Sequence, residues 1–147
     1  MRLRGACLFT CTHVMKDADG TVTEIHGTYD PDSKGGHATD GRKVKGTIHW
    51  VSAAHAVPVE VRLYDRLFTV PDPMGDETKD FLAFLNPDSC KVVTAYAESA
   101  LAEAAPGERF QFERVGYFCA DAVDSAPGKP VFNRTVTLKD SWGKTTK

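Results

Sequence analysis

An all-β protein is what this sequence predicts, and three observations carry the prediction. The first is period-two alternation: in GTIHWVSAAHAVPVEVRLYDRLFTV, residues 46–70, Ile48 and Trp50 alternate with Thr47 and His49, and Val59, Val61 and Leu63 alternate with Glu60, Arg62 and Tyr64. That is the pattern of a half-buried strand, with one face for a core and one for water or a partner. The second is turn punctuation, at KDADG (16–20), VPDPMG (70–75) and Pro106-Gly107, between runs of this kind. The third is the crowding of β-branched residues in TVTEIHGTY, residues 21–29.

Taken in order, residues 2–13, RLRGACLFTCTH, alternate well enough for one strand, with Leu3 opposite Arg2 and Arg4, so that the two arginines share a face. KDADG turns the chain and residues 21–29 return it, which makes a hairpin. A loop rich in Asp, Gly and Ser over 30–41 leads to the basic run Arg42-Lys43-Val44-Lys45. Pro58 cannot donate a ladder hydrogen bond, so a turn or strand edge is expected over 52–58. Two prolines and a glycine in 70–75 end the pattern and mark a boundary between subdomains. Residues 76–84 read as a short helix with Phe81, Leu82 and Leu85 on one side, ended by Asn86-Pro87. A strand over 90–96, a small helix or turn over 99–105, and two long strands over 109–121 and 130–139 complete the chain, the last two joined by a polar loop. About seven or eight short strands separated by turns point to barrels or sandwiches.

With 147 residues the chain has room for one ordinary domain or two small ones. Hydrophobic residues make up 41% and charged residues 26%, and no apolar run approaches the roughly 20 residues that span a bilayer. Neither a membrane span nor a signal peptide is expected, which points to the cytoplasm. A formal net charge of -2 makes any nucleic-acid binding a local matter, because exposed charges are screened beyond about 8 Å at physiological salt. Cys7, Cys11, Cys90 and Cys119 fit neither a zinc spacing nor a dense disulfide framework and read as reduced thiols. His49 and His55 have no Cys or carboxylate at a ligand spacing, Cys119 and His49 carry no signature of a nucleophile pair, and no Gly-rich phosphate loop occurs. No catalytic residue, metal or cofactor is therefore expected in this chain.

Four separated motifs are GRKVKG (41–46), HWVSAAHA (49–56), VRLYDRLF (61–68) and FQFER (110–114). In order and spacing they resemble the C-terminal anticodon-binding region of bacterial-type glutaminyl-tRNA synthetases, and the resemblance runs from Arg2 to Trp142. It implies two small antiparallel β-barrels with short helical connections: residues 1–70 as the distal barrel, lacking its first strand, and 71–147 as the returning part of the proximal barrel. It further implies the anticodon loop of glutamine tRNA as the RNA partner and an upstream catalytic domain as the protein partner, in a cytoplasmic enzyme of translation that joins glutamine to its tRNA with ATP. The two ATP-binding signatures of class I synthetases, of the HIGH and KMSKS types, do not occur here, so ATP belongs to the whole enzyme and this fragment should be inactive alone.

Reading an anticodon takes groups that meet the edges of unstacked bases and cations for the adjacent phosphates. Gln donates and accepts through one amide, and Arg offers a planar fork. By the resemblance, Gln111 and Arg114 match positions at the middle anticodon base and its neighbouring phosphate, and Arg2 and Arg4 match positions near the first base. As strand residues alone, Gln111 and Arg114 equally suit solvated positions, and residues three apart on a regular strand face opposite ways. A bulge or strong twist, with Gly116 the candidate, is expected to bring them together. Arg42, Lys43 and Lys45 suit a tRNA backbone or a solvated loop; Arg62, Asp65 and Arg66 read as intramolecular ion pairs. Trp50, Phe68, Phe112, Tyr117 and Phe118 read as core aromatics, with base stacking as the alternative. Two other functions stay open: a ribosomal or stress protein of similar barrel fold that binds 5S ribosomal RNA, which fold alone does not separate, and a protein-contact module without RNA binding.

Overall fold

A computed structural model describes residues 1–138. The described residues form nine strands and three short 3-10 helices, so the all-β expectation is borne out. They pack as two compact units, one from Met1 to Trp50 and one from Val51 onward. By packing, the division falls at Trp50/Val51, since strand β5 (Val57–Tyr64) pairs with the later strands of the second unit.

In the first unit β1 (Arg2–Leu3), β2 (Leu8–Lys16), β3 (Val22–Asp30) and β4 (Thr47–Ile48) lie in the order β3-β2-β1-β4. The single strand expected over 2–13 is two strands, because the chain reverses at Gly5. There the Ala6 amide donates to the Leu3 carbonyl at 3.0 Å and the Leu3 amide to the Cys7 carbonyl at 2.9 Å. Gly5 has φ 70°, a left-handed conformation that glycine adopts without a Cβ clash. The β2–β3 hairpin forms as expected, its turn held by the Asp17 carboxylate, which accepts from the amides of Asp19 at 3.0 Å and Thr21 at 2.8 Å. Leu8 is buried beside Ser33, whose hydroxyl accepts the Leu8 amide at 2.8 Å and donates to the Asp30 carbonyl at 2.6 Å. Beyond this point the hairpin is exposed on both strands.

In the second unit β5, β6 (Cys90–Ala97), β7 (Arg109–Phe112), β8 (Gly116–Ala120) and β9 (Val131–Thr137) lie in the order β6-β5-β9-β8-β7. The last strand inserts between β5 and β8, and its pairing with β5 is parallel; β1 and β4 are parallel too. The strands therefore form two mixed sheets and not closed antiparallel barrels. The alternation read from β5 holds: Val59 and Val61 are buried, while Glu60 and Arg62 are on the other face. They join Ala97, Phe118, Ala120 and Phe132 in one apolar cluster, lined by the half-buried Phe110 and Phe112. Phe112 stacks on Phe118 with ring centres 4.2 Å apart, and Phe132 meets Phe110 and Phe112 edge-on at 5.7 and 5.2 Å. Such ring pairs contribute about 0.5–1.5 kcal/mol each beyond their burial.

The helix expected over 76–84 shortens to one 3-10 turn, Phe81–Phe84, whose Asp80 carboxylate accepts the Leu82 amide at 2.9 Å. Ser99–Glu103 is a second such turn and Lys34–Gly36 a third. The strand expected over 109–121 is split into β7 and β8 by a tight turn. Lys139, the end of the expected last strand, and Trp142, the end of the resemblance, lie outside the described residues.

Candidate nucleic-acid interface

Strand β7 forms one edge of the five-stranded sheet. Period-two geometry turns Phe110 and Phe112 into the apolar cluster and leaves Gln111 between them on the outer face, where it is exposed. After Phe112 the chain reverses: the Val115 amide donates to the Phe112 carbonyl at 2.9 Å, and Arg114, exposed, takes φ 64°. Among the described residues it is the one non-glycine in the left-handed region, a conformation that costs an L-residue roughly 1–2 kcal/mol. The expectation that Gln111 and Arg114 face opposite ways presumed one continuous strand. Arg114 is in the turn and not on the ladder, so that objection lapses. Gly116 has a different task from the one expected of it. A Cβ there would come within 2.6 Å of the Val136 carbonyl, so glycine lets β9 pass close. The register shift comes one step later, between Tyr117 and Phe118.

Arg2 and Arg4 belong to the first unit, and they do not share a strand face, because β1 ends at Leu3. Arg2 is half-buried; its Nε donates to the Gly36 carbonyl at 2.5 Å and its stem fills the space where a Gly36 side chain would be. Arg4 is exposed at the turn, where its carbonyl accepts the Trp50 indole N–H at 3.1 Å and its amide donates to the Ile48 carbonyl at 3.0 Å.

Arg42 is paired with Asp30 and lies 3.4 Å from Asp40, whereas Lys43 and Lys45 are exposed. Arg62 is in an ion-pair network as expected, but its partners are Asp124 at 2.7 Å, Glu60 at 2.9 Å and Asp121 at 3.5 Å. The hydrogen bonds to Asp124 and Glu60 hold its guanidinium further above its usual range. Asp65 instead accepts the Arg66 amide at 2.7 Å. Asp121 accepts the Asp124 and Val123 amides at 2.8 Å and the Asn133 side-chain amide at 2.6 Å; these bonds, led by that from Asp124, with a smaller contribution from Arg62, lower its pKa from 3.8 to about 2. Asn133 also accepts the Tyr64 hydroxyl at 2.7 Å. All four cysteines are free thiols. No cluster of three or more His, Cys, Asp or Glu side chains suited to a metal occurs among the described residues, and no helix among them is long and apolar enough to cross a membrane.

Residues 47–121, just over half of the chain, match the sequence profile of the tRNA synthetases class I (E and Q), anti-codon binding domain. The chain belongs to that family. Its similarity extends beyond the matched span: over 145 residues it is 61% identical to the glutamine–tRNA ligase of Ralstonia nicotianae, covering 98% of this chain and 25% of that protein. The glutamine–tRNA ligase of Nitrosomonas europaea is 56% identical over 145 residues, and that of Escherichia coli 54% over 144, each with 98% of this chain and 26% of the relative covered. The chain thus spans about a quarter of the length of the curated relatives it matches.

For a member of the anticodon-binding family, the aromatics sort in a way that the default core reading missed. Phe112 and Phe118 are in the core and Phe68 is half-buried against Phe81, but Trp50 and Tyr117 are exposed. The signal for Tyr117 was available as parity: it precedes the buried Phe118 by one residue, so it must face away from it. The network of Arg62, Asp121, Asn133 and Tyr64 left no such signal, since its members come from three separate stretches of sequence.

Proposed function

We propose that this chain is the anticodon-binding region of a glutamine–tRNA ligase, selecting glutamine tRNA for a catalytic part that lies elsewhere in the enzyme and uses ATP. The enzyme acts in cytoplasmic translation, and the assignment of its distal and proximal anticodon-binding parts to residues 1–70 and 71–147 belongs to the same reading. The observation that carries it is the end of β7: Gln111 is exposed on a strand whose other face is locked among phenylalanines, and Arg114 is exposed in the turn that follows. An amide on a rigid strand suits the edge of a single base, and a guanidinium beside it suits the adjacent phosphate. Arg2 and Arg4 are assigned to the neighbourhood of the first anticodon base.

The test is binding of transcribed glutamine tRNA and its anticodon variants by the chain and by its Gln111→Ala form. Direct readout predicts a loss of discrimination at the middle base of about 1–3 kcal/mol. Equal weakening for every tRNA would assign Gln111 to positioning and overturn its role as the reader.

A further inference from the structure

We infer that Tyr117, with Val136 beside it, forms the surface on which the RNA base read by Gln111 stacks; this rests on the reading of Gln111 given above. Gln111 is directly opposite Tyr117 on the β7–β8 ladder, and Tyr117 is directly opposite Val136 on the β8–β9 ladder. The three side chains thus form one row across three adjacent strands. All are on the outer face, with Tyr117 45% and Val136 57% exposed. Directly paired residues hold their Cβ atoms about 4.5–5.5 Å apart, so a base whose edge meets the Gln111 amide has its plane within reach of the phenol ring.

The ring has no structural task that explains its place. Among the described residues its hydroxyl makes no hydrogen bond and its ring no aromatic contact; the bond at Tyr117 is a backbone one, its carbonyl accepting from the Thr135 hydroxyl at 3.1 Å. Its neighbour Phe118, by contrast, is 1% exposed and stacked on Phe112. An adjoining phenol ring and isopropyl group left in water are an apolar surface that a planar base would cover. Positive charge for the flanking phosphates is close in sequence and on the same edge: Arg109 is exposed two residues before Gln111 on the same strand face, and Arg114 is in the turn. The row divides the work, because stacking accepts any base whereas the amide selects one.

The experiment measures binding of a synthetic glutamine anticodon stem-loop, its middle-base variants, and the same RNA with an abasic middle position, by the 147-residue chain and its Tyr117→Ala and Tyr117→Phe forms. Tyr117→Ala should lower affinity about tenfold for every middle base, leave the preference among bases unchanged, and bind the abasic RNA as the unmodified chain does. Tyr117→Phe, which keeps the ring, should stay within about twofold of the unmodified chain. Unchanged affinity in Tyr117→Ala overturns the proposal, as does an equal loss on the abasic RNA, which would assign the ring to the fold. A shift from dimer to monomer in sedimentation, with RNA binding intact, would overturn it in favour of a second copy of the chain on this face. If the unmodified chain bound RNA with no preference at the middle base, the reading of Gln111 would fail while the abasic comparison still judged Tyr117; no RNA binding at all would overturn both.

Discussion

Phe118 and Phe132, 1% and 0% exposed, are at the centre of a continuous apolar cluster in the second unit, whereas in the first unit Leu8 is the one buried large hydrophobic among the described residues. The hairpin β2–β3 leaves Val14, Met15, Val22, Ile25 and Tyr29 each at least 40% exposed. One unit is therefore held by side chains, the other mainly by backbone pairing, a tight turn and one buried hydroxyl. The candidate readers inherit the difference. Gln111 is on the back of a strand fixed by ring packing, the kind of support that holds a group to a fraction of an ångström; Arg4 is beside a turn held by single hydrogen bonds.

The largest expected effect tests the packed side of that contrast. Phe118→Ala should cost about 3–5 kcal/mol, the range for truncating a buried aromatic, while Ile25→Ala on the exposed hairpin should stay within about 0.5 kcal/mol. Urea unfolding of the two variants decides it; comparable losses would mean that the hairpin is as much a core element as the sheet. Ser33→Ala probes the hydrogen-bonded side. It strands the Leu8 amide and should cost about 1–3 kcal/mol, with faster amide exchange at Leu8. A weaker lever is pH. The pKa of Asp121 is lower in the folded chain than its ordinary 3.8, so its contribution is present above pH 4 and is lost as pH falls through 4 toward 2. In Asp121→Asn the second unit should lose that acid dependence, measured as the unfolding midpoint against pH, and an unchanged profile would show that other carboxylates set it.

Much of the second unit was legible because its strands are short, alternating and bounded by strong turn residues. Val59, Val61 and Leu63 announce one face of β5, and Phe110 and Phe112 one face of β7. What alternation does not encode is where a ladder stops. Arg2 to His13 reads as one strand until Gly5 is seen at positive φ, and the FQFER motif reads as one strand until Arg114 is seen in the same region. Nor does alternation record pairing partners: the insertion of β9 beside β5, which makes the sheet mixed, depends on a contact between residues about 70 apart in the chain, such as Arg62 with Asn133. Gln111 is exposed because it alternates with Phe110 and Phe112, while the bulge expected to reconcile it with Arg114 was an answer to a difficulty that the turn removes.

The smallest effect is the most specific to the site. A non-glycine at φ 64° is retained at a turn where glycine would be easier, so the conformation and the guanidinium pull in opposite directions. Arg114→Gly should therefore stabilise the second unit by up to about 1 kcal/mol. The same change should weaken binding of glutamine tRNA roughly equally across middle-base variants, as the loss of a phosphate contact does, and flatten its salt dependence by about one charge. Thermal melting and a salt titration of binding separate the two effects. Loss of stability would mean that the arginine stem packs on the turn and offsets its backbone cost, and a loss confined to one middle base would move Arg114 from the phosphate to the base edge beside Gln111.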